Sequence, residues 1–254
     1  MGRWLKLGLD ILIGAVIPIY LLENMSERWG TVPTYVVAAL IPVAYVLVDT
    51  LFITRRFNVI TSFAAAGALL RGGLAFWFVD GLRFAVKDTL GFVLNLTLFG
   101  GSLLLGKPIM RFFLAQALAP DNAEKRAALD AALAEGGVAR AIRNATGLLA
   151  GEAALTGVVN FALNLQIVTA AFGDAIFNKQ VAQVNAITRI AFTVTSFLAF
   201  GLGFFLIYRT LYAILPEEPG KAKEESDLLT LIVAWYRARR GEPSPGMDQA
   251  ERTA

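Results

Sequence analysis

Long apolar runs separated by short polar breaks pattern this chain, and most runs are near the length that crosses a bilayer. The stretch from Arg55 to Lys107 shows it best. It starts at the basic pair Arg55-Arg56 and runs through an apolar segment to Val79. It then crosses a polar turn from Asp80 to Asp88 and returns through a second apolar segment to Gly106-Lys107-Pro108. That pattern predicts a transmembrane hairpin with both ends on the basic side. Read outward from it, the chain is expected to hold six spans, near residues 7–22, 34–53, 58–79, 89–105, 145–172 and 189–215. Pro18 and Pro42 lie inside two of them and predict kinks. The third is rich in small residues from Ser62 to Gly73, which lets helices approach closely in lipid.

Between the fourth and fifth spans the apolar density falls. Residues 107–119 read as an interfacial elbow. A short helix over 123–135 follows, capped by Asp121 or Asn122 and stopped by Gly136-Gly137. After Pro216 a charged linker leads to an amphipathic helix over 227–240. Its Leu228, Leu229, Leu231, Ile232 and Trp235 precede a basic end. Such a helix is expected to lie on the membrane surface, with Trp235 and Tyr236 at headgroup depth and Arg237, Arg239 and Arg240 near anionic lipid. Residues 242–254 have a disordered composition. The fold class expected is therefore all-α: a polytopic six-helix membrane bundle. The transmembrane domain takes residues 1–216, with a cytoplasmic helical loop over 107–140. A cytoplasmic tail takes residues 217–254.

Composition agrees with a membrane protein. Of 254 residues, 56% are apolar and 17% charged, and a soluble domain this small has too much surface for that balance. Cysteine and histidine are both absent, which excludes disulfides, thiolate chemistry and the usual imidazole ligands and proton shuttles. No phosphate loop, nucleophile elbow or HExxH pattern is present, so no enzymatic role and no cofactor or metal is expected. A net charge of +3 gives no reason to expect a nucleic-acid partner. The basic residues are unevenly placed. With the amino terminus inside, 17 Lys and Arg collect on the cytoplasmic side and 5 outside, with Arg71 left within a span. That imbalance predicts both termini in the cytoplasm.

The candidate chemistry lies in the polar groups at membrane depth, taken together as an intramembrane site of Arg71, Glu152, Asn160, Asn164, Asp49 and Asp10. Arg71 would cost at least ~2.5 kcal/mol against lipid, so it needs an acid, a cavity or a route outward to Asp80 or Glu23. Glu152 is its favoured partner. Glu152, Thr156, Asn160 and Asn164 recur every fourth residue and form one polar ridge expected to face the bundle interior. Gly147 and Gly151 form a GxxxG notch on another face. The ridge reads either as a polar site or as interhelical glue. Asp10 and Asp49 sit near cytoplasmic span ends, as a cation site or as headgroup-zone partners of Lys6, Arg55 and Arg56.

Several short motifs occur in a fixed order. Pro18-Ile19-Tyr20 is followed by a span ending Arg55-Arg56-Phe57-Asn58. Lys87 then opens a span ending Gly106-Lys107-Pro108-Ile109-Met110-Arg111. This order resembles the bacterial intracellular septation protein A family and its uncharacterised polytopic inner-membrane relatives. Gly157-Val158-Val159-Asn160 resembles that family's Gly-x-x-Asn, and Phe177-Asn178-Lys179 its Phe-Lys before the last span. The resemblance runs from about Pro18 to Leu215. It implies a multi-pass protein of the bacterial inner membrane associated with envelope synthesis and septation, with no catalytic residues to carry over. The expected function is a non-enzymatic scaffold that partners the lipid bilayer and other membrane proteins or itself. The alternative is a small transporter or channel using the polar site around Arg71 and Glu152.

Overall fold

The computed structural model describes residues 12–48, 59–217 and 226–241, and among these it is all helical. Asp10, Asp49, the Arg55-Arg56 pair and residues 242–254 lie outside the described residues. A π-helical turn, Leu12–Val16, leads into α1 (Ile17–Asn24), followed by α2 (Ser26–Trp29) and α3 (Thr31–Val48). Then come α4 (Val59–Ala75), α5 (Gly81–Leu104), α6 (Ile109–Leu118) and α7 (Ala123–Ala134). The long helices α8 (Gly136–Ile167) and α9 (Ala175–Ile214) follow, and α10 (Leu228–Arg239) is the last element described.

Three of these helices, α3, α8 and α9, are long and apolar enough to cross a membrane. A fourth crossing is possible if α5 and α6, bent by 95° at the break between them, make one broken span. Large apolar side chains stand exposed along α8 and α9, among them Leu155, Val158, Ile190, Phe197, Leu198 and Phe205. So much exposed apolar surface on helices of this length points to a membrane protein. At about 1.5 Å per residue, the 32 residues of α8 and 40 of α9 reach roughly 48 and 60 Å. Both exceed the ~30 Å hydrocarbon core, so their ends project beyond it.

Several boundaries differ from the sequence expectation, each for a local reason. Pro18 follows closely on the π-helical turn Leu12–Val16, with Val16 still in helical conformation. It sits in the first turn of α1, where a missing N–H removes no hydrogen bond within that helix. The turn expected over 80–88 is mostly helix, because α5 already starts at Gly81 and carries Lys87 and Asp88 inside it. Likewise α9 starts at Ala175, well before the expected Arg189. Gly136-Gly137 does not stop the loop helix but opens α8, the break falling on the extended Glu135. Asn122, one of the two candidate caps, caps α7 by accepting from the Lys125 N–H at 2.8 Å.

The chain divides into two compact units. The first comprises Met1–Leu98 and Ala150–Leu198, the second Phe99–Leu149 and Ala199–Ala254. The first unit has a core of Leu21, Leu22, Tyr35, Ala38, Phe84, Phe177 and Val181, with Phe172 edge-on to Tyr35 and Phe177. Asn178 ties α9 to the amino-terminal helices, donating to Ser26 Oγ at 2.7 Å and to Thr31 O at 2.9 Å. Helices α5 and α8 approach closely at Gly157, where an added Cβ would lie 3.0 Å from Phe92 Cβ.

In the second unit, Gly106 turns the chain at φ +67°, and Ser102 Oγ accepts from Ile109 N at 3.1 Å, which sets the bend from α5 into α6. The tail helix α10 does not expose its apolar face for lipid. Leu231, Ile232 and Val233 are buried, and α10 packs on α7, whose Ala128, Leu129, Ala132 and Leu133 are buried as well. Arg237 Nε pairs with Glu124 at 2.6 Å and Arg239 with Glu135 at 2.6 Å. Trp235 and Tyr236 lie under the guanidinium groups of Arg239 and Arg240. The physical reason is that α7 supplies both the apolar partner and the acids that lipid would otherwise supply.

Two predictions follow from this packing. Gly157→Leu should force α5 and α8 apart and cost about 1–3 kcal/mol, read as a lower unfolding midpoint in mixed micelles. The second concerns the tail clasp. The hydrogen bond from Arg237 holds the Glu124 carboxyl below its ordinary value of 4.5. The pair's contribution to docking is therefore present above pH 4.5 and lost as pH falls through the lowered value, while the apolar contact remains. At neutral pH, Glu124→Gln should mimic the acid state, with trypsin cutting after Arg237 faster than in the parent protein.

Candidate functional site

The polar ridge of α8 is where membrane-depth chemistry concentrates. Thr156, Asn160 and Asn164 are all buried, the two asparagines at 2% and 1% exposure, while Glu152 is half-buried. Four-residue spacing puts them on one face, but they engage two different neighbours. Glu152 turns to α9: its Oε1 accepts from Ser196 Oγ at 2.8 Å and from Thr195 Oγ1 at 3.4 Å. Thr156 satisfies itself locally, donating to the Glu152 carbonyl at 2.7 Å. Asn160 and Asn164 turn to α5.

There they meet Asp88, which the sequence pattern had assigned to a turn. Asp88 Oδ2 accepts from Asn160 Nδ2 at 3.0 Å and from Asn164 Nδ2 at 2.9 Å. Asn164 also donates to the Asn160 carbonyl at 2.9 Å, and Asn160 approaches Thr89 Oγ1 at 3.4 Å. Counted from Gly81, Asp88 lies roughly 10 Å along its helix. A half-buried carboxylate between helices needs donors from the protein, and two amides one turn apart supply them.

Lys87, the preceding residue, is only 3% exposed. Its Nζ donates to the Trp77 carbonyl at 2.6 Å and stands 4.8 Å from the Tyr35 ring centroid and 5.7 Å from that of Phe84. An aromatic wall and one carbonyl thus replace the water an ammonium would hold.

Arg71, on the exposed side of α4, reaches Gly91 of α5, its Nε 3.8 Å from where a Cβ would stand. Arg189 on α9 lies within electrostatic range of both Arg71 and Asp88. Among the described residues Arg71 forms no ion pair with Glu152, whose carboxylate is taken up by the hydroxyls of α9. The expected outward route to Asp80 is not used either, since Asp80 Oδ2 accepts from the Phe172 N–H at 3.1 Å. The structure thus brings Asn160 and Asn164 together around Asp88 and leaves Arg71 and Glu152 in separate surroundings.

Sequence reasoning missed Lys87, Asp88, Arg189 and Ser196. Asp88 carried one signal: it stands four residues after Phe84 and four before Phe92, on a face otherwise built to pack. Among the described residues no group of three or more acids could hold a metal ion. Chemically, the arrangement fastens helices: Asp88 and Glu152 are each matched to amide or hydroxyl donors of a neighbouring helix.

Double-mutant cycles should separate the two halves of the ridge. Asp88→Ala with Asn164→Ala should couple by about 1–3 kcal/mol in reversible micellar unfolding. Arg71→Ala with Glu152→Ala should be additive to within about 0.5 kcal/mol. Comparison with known protein families, with curated proteins and with solved structures finds no match for this chain.

Proposed function

We propose that this chain is a non-enzymatic, multi-pass protein of the bacterial inner membrane, of the septation protein A type. In this reading it serves as a scaffold for other membrane proteins of the cell-envelope or division machinery, or for a second copy of itself. Six spans and two cytoplasmic termini complete the proposal. The basic asymmetry of the sequence supports that topology.

One observation carries the scaffold reading over the transporter or channel. Among the described residues, the interhelical carboxylates Asp88 and Glu152 are engaged by protein donors, Asp88 by Asn160 and Asn164 and Glu152 by Ser196 and Thr195. A substrate path needs polar groups that water can reach and that can exchange partners. A scaffold needs its polar groups closed on one another, holding one helix arrangement.

The chain has no cysteine of its own, which makes the test direct. Single variants Asn160→Cys, Thr156→Cys and Thr89→Cys, in native membranes, should resist a water-soluble maleimide that labels Asp121→Cys within minutes. Labelling of the three at the rate of Asp121→Cys would reject the scaffold in favour of the transporter. Reporter fusions in the 121–137 loop should read cytoplasmic.

A further inference from the structure

Helices α8 and α9 come close at two places within the second unit. A Cβ added at Gly203 would lie 3.3 Å from Ala145 Cβ, and one added at Gly137 would lie 3.4 Å from Thr210 Cγ2. Between those contacts runs a groove of about 300 Å³, lined by Gly137, Arg140, Ala141, Asn144, Leu206 and Thr210. The spacing explains it. Positions 137, 140, 141 and 144 share one face of α8, and 206 and 210 share one face of α9. Gly137 keeps the helices close without filling the space beside Arg140.

The lining has two characters. Ala141 is buried and Leu206 half-buried, giving an apolar floor. Arg140 and Asn144 are exposed on the rim, and among the described residues neither has a side-chain partner. Arg143, three residues from Arg140, and Arg209, next to Thr210, are exposed cations that also lack a carboxylate partner among the described residues. The apolar run of α8 begins directly afterwards, at Ala145. The groove therefore lies where two membrane helices leave the hydrocarbon, whichever way the chain is oriented. Arg140 over this apolar floor, with Arg143 and Arg209 close by along the two helices, makes the kind of interhelical basic pocket that holds lipid headgroups.

The geometry points to a binding site for one anionic phospholipid in this groove. Arg140 takes the phosphodiester, as a guanidinium pairs with two phosphate oxygens. Asn144 donates its amide to a phosphate or glycerol oxygen one turn along. Ala141 and Leu206 carry the start of an acyl chain, which continues into the bilayer. A free phosphate would use the rim and leave the floor empty, so the apolar floor selects the lipid.

The test uses the full chain in neutral detergent, titrated with phosphatidylglycerol or phosphatidylcholine and read by native mass spectrometry. The parent protein should hold phosphatidylglycerol roughly tenfold more tightly than phosphatidylcholine. Arg140→Gln should weaken phosphatidylglycerol by roughly tenfold, the loss expected for one charge-assisted contact. Ala141→Phe, which fills the floor and leaves the rim intact, should weaken it as well, while Arg126→Gln on α7 should not. Circular dichroism of each variant checks that helix content is kept. Because Arg140 is exposed, its variant stands even if Ala141→Phe does not fold. Equal retention of phosphatidylglycerol by the parent and Arg140→Gln would overturn the site. Equal binding of phosphatidylcholine would do the same, as would displacement of the lipid by inorganic phosphate at equal concentration.

Discussion

The bonds from Asn160 and Asn164 to Asp88 are the contact on which the rest of the first unit depends. A carboxylate turned in between two helices has little water to fall back on, so its donors come from the fold. Two amides on successive turns of α8 meet one carboxylate of α5, and a slide of either helix by one turn would break at least one of the bonds. The same pair of helices is tightly packed at Gly157, three residues before Asn160. Small-residue packing and polar satisfaction thus fix the same register, and each makes the other possible.

Lys87 and Asp88 show how adjacent residues of a helix can serve unrelated tasks. Neighbours in sequence are about 100° apart around the helix, so they do not face each other. Asp88 turns to α8, whereas Lys87 turns beneath Tyr35 and Phe84 and closes on the Trp77 carbonyl. The carbonyl comes from the segment between α4 and α5, so this one side chain helps hold the return of the hairpin. Ionic groups that look like a solvated turn are in fact the polar fastening of the helix start.

The second unit is built on different physics. Its elbow is made by backbone geometry, with Gly106 in the left-handed region and Ser102 bridging the break. Its tail helix is held by burial of Leu231 and Ile232 on α7, and by guanidinium–carboxylate pairs to Glu124 and Glu135. Exposed ion pairs add little on their own. Here they orient a helix whose attachment is chiefly apolar, and they occupy arginines that a membrane surface would otherwise recruit.

The sequence by itself determined the all-helical class, the membrane character and the inward polar face of α8, because those depend on composition and on a period of 3.6. The cap at Asn122 and the bend near Gly106 were legible for the same reason, being local backbone chemistry. What it did not determine was which neighbour each polar residue would meet. Asp88 read as part of a turn because Asp80, Arg83 and Lys87 precede it, yet nothing in that spacing says that α5 begins at Gly81. Arg71 and Glu152 looked like partners because each needed one. Only the tertiary arrangement could show that Ser196 and Thr195 would claim the glutamate and that α7 would claim the tail. Periodicity fixes which face of a helix turns inward; the identity of what stands opposite is a property of how distant segments pack.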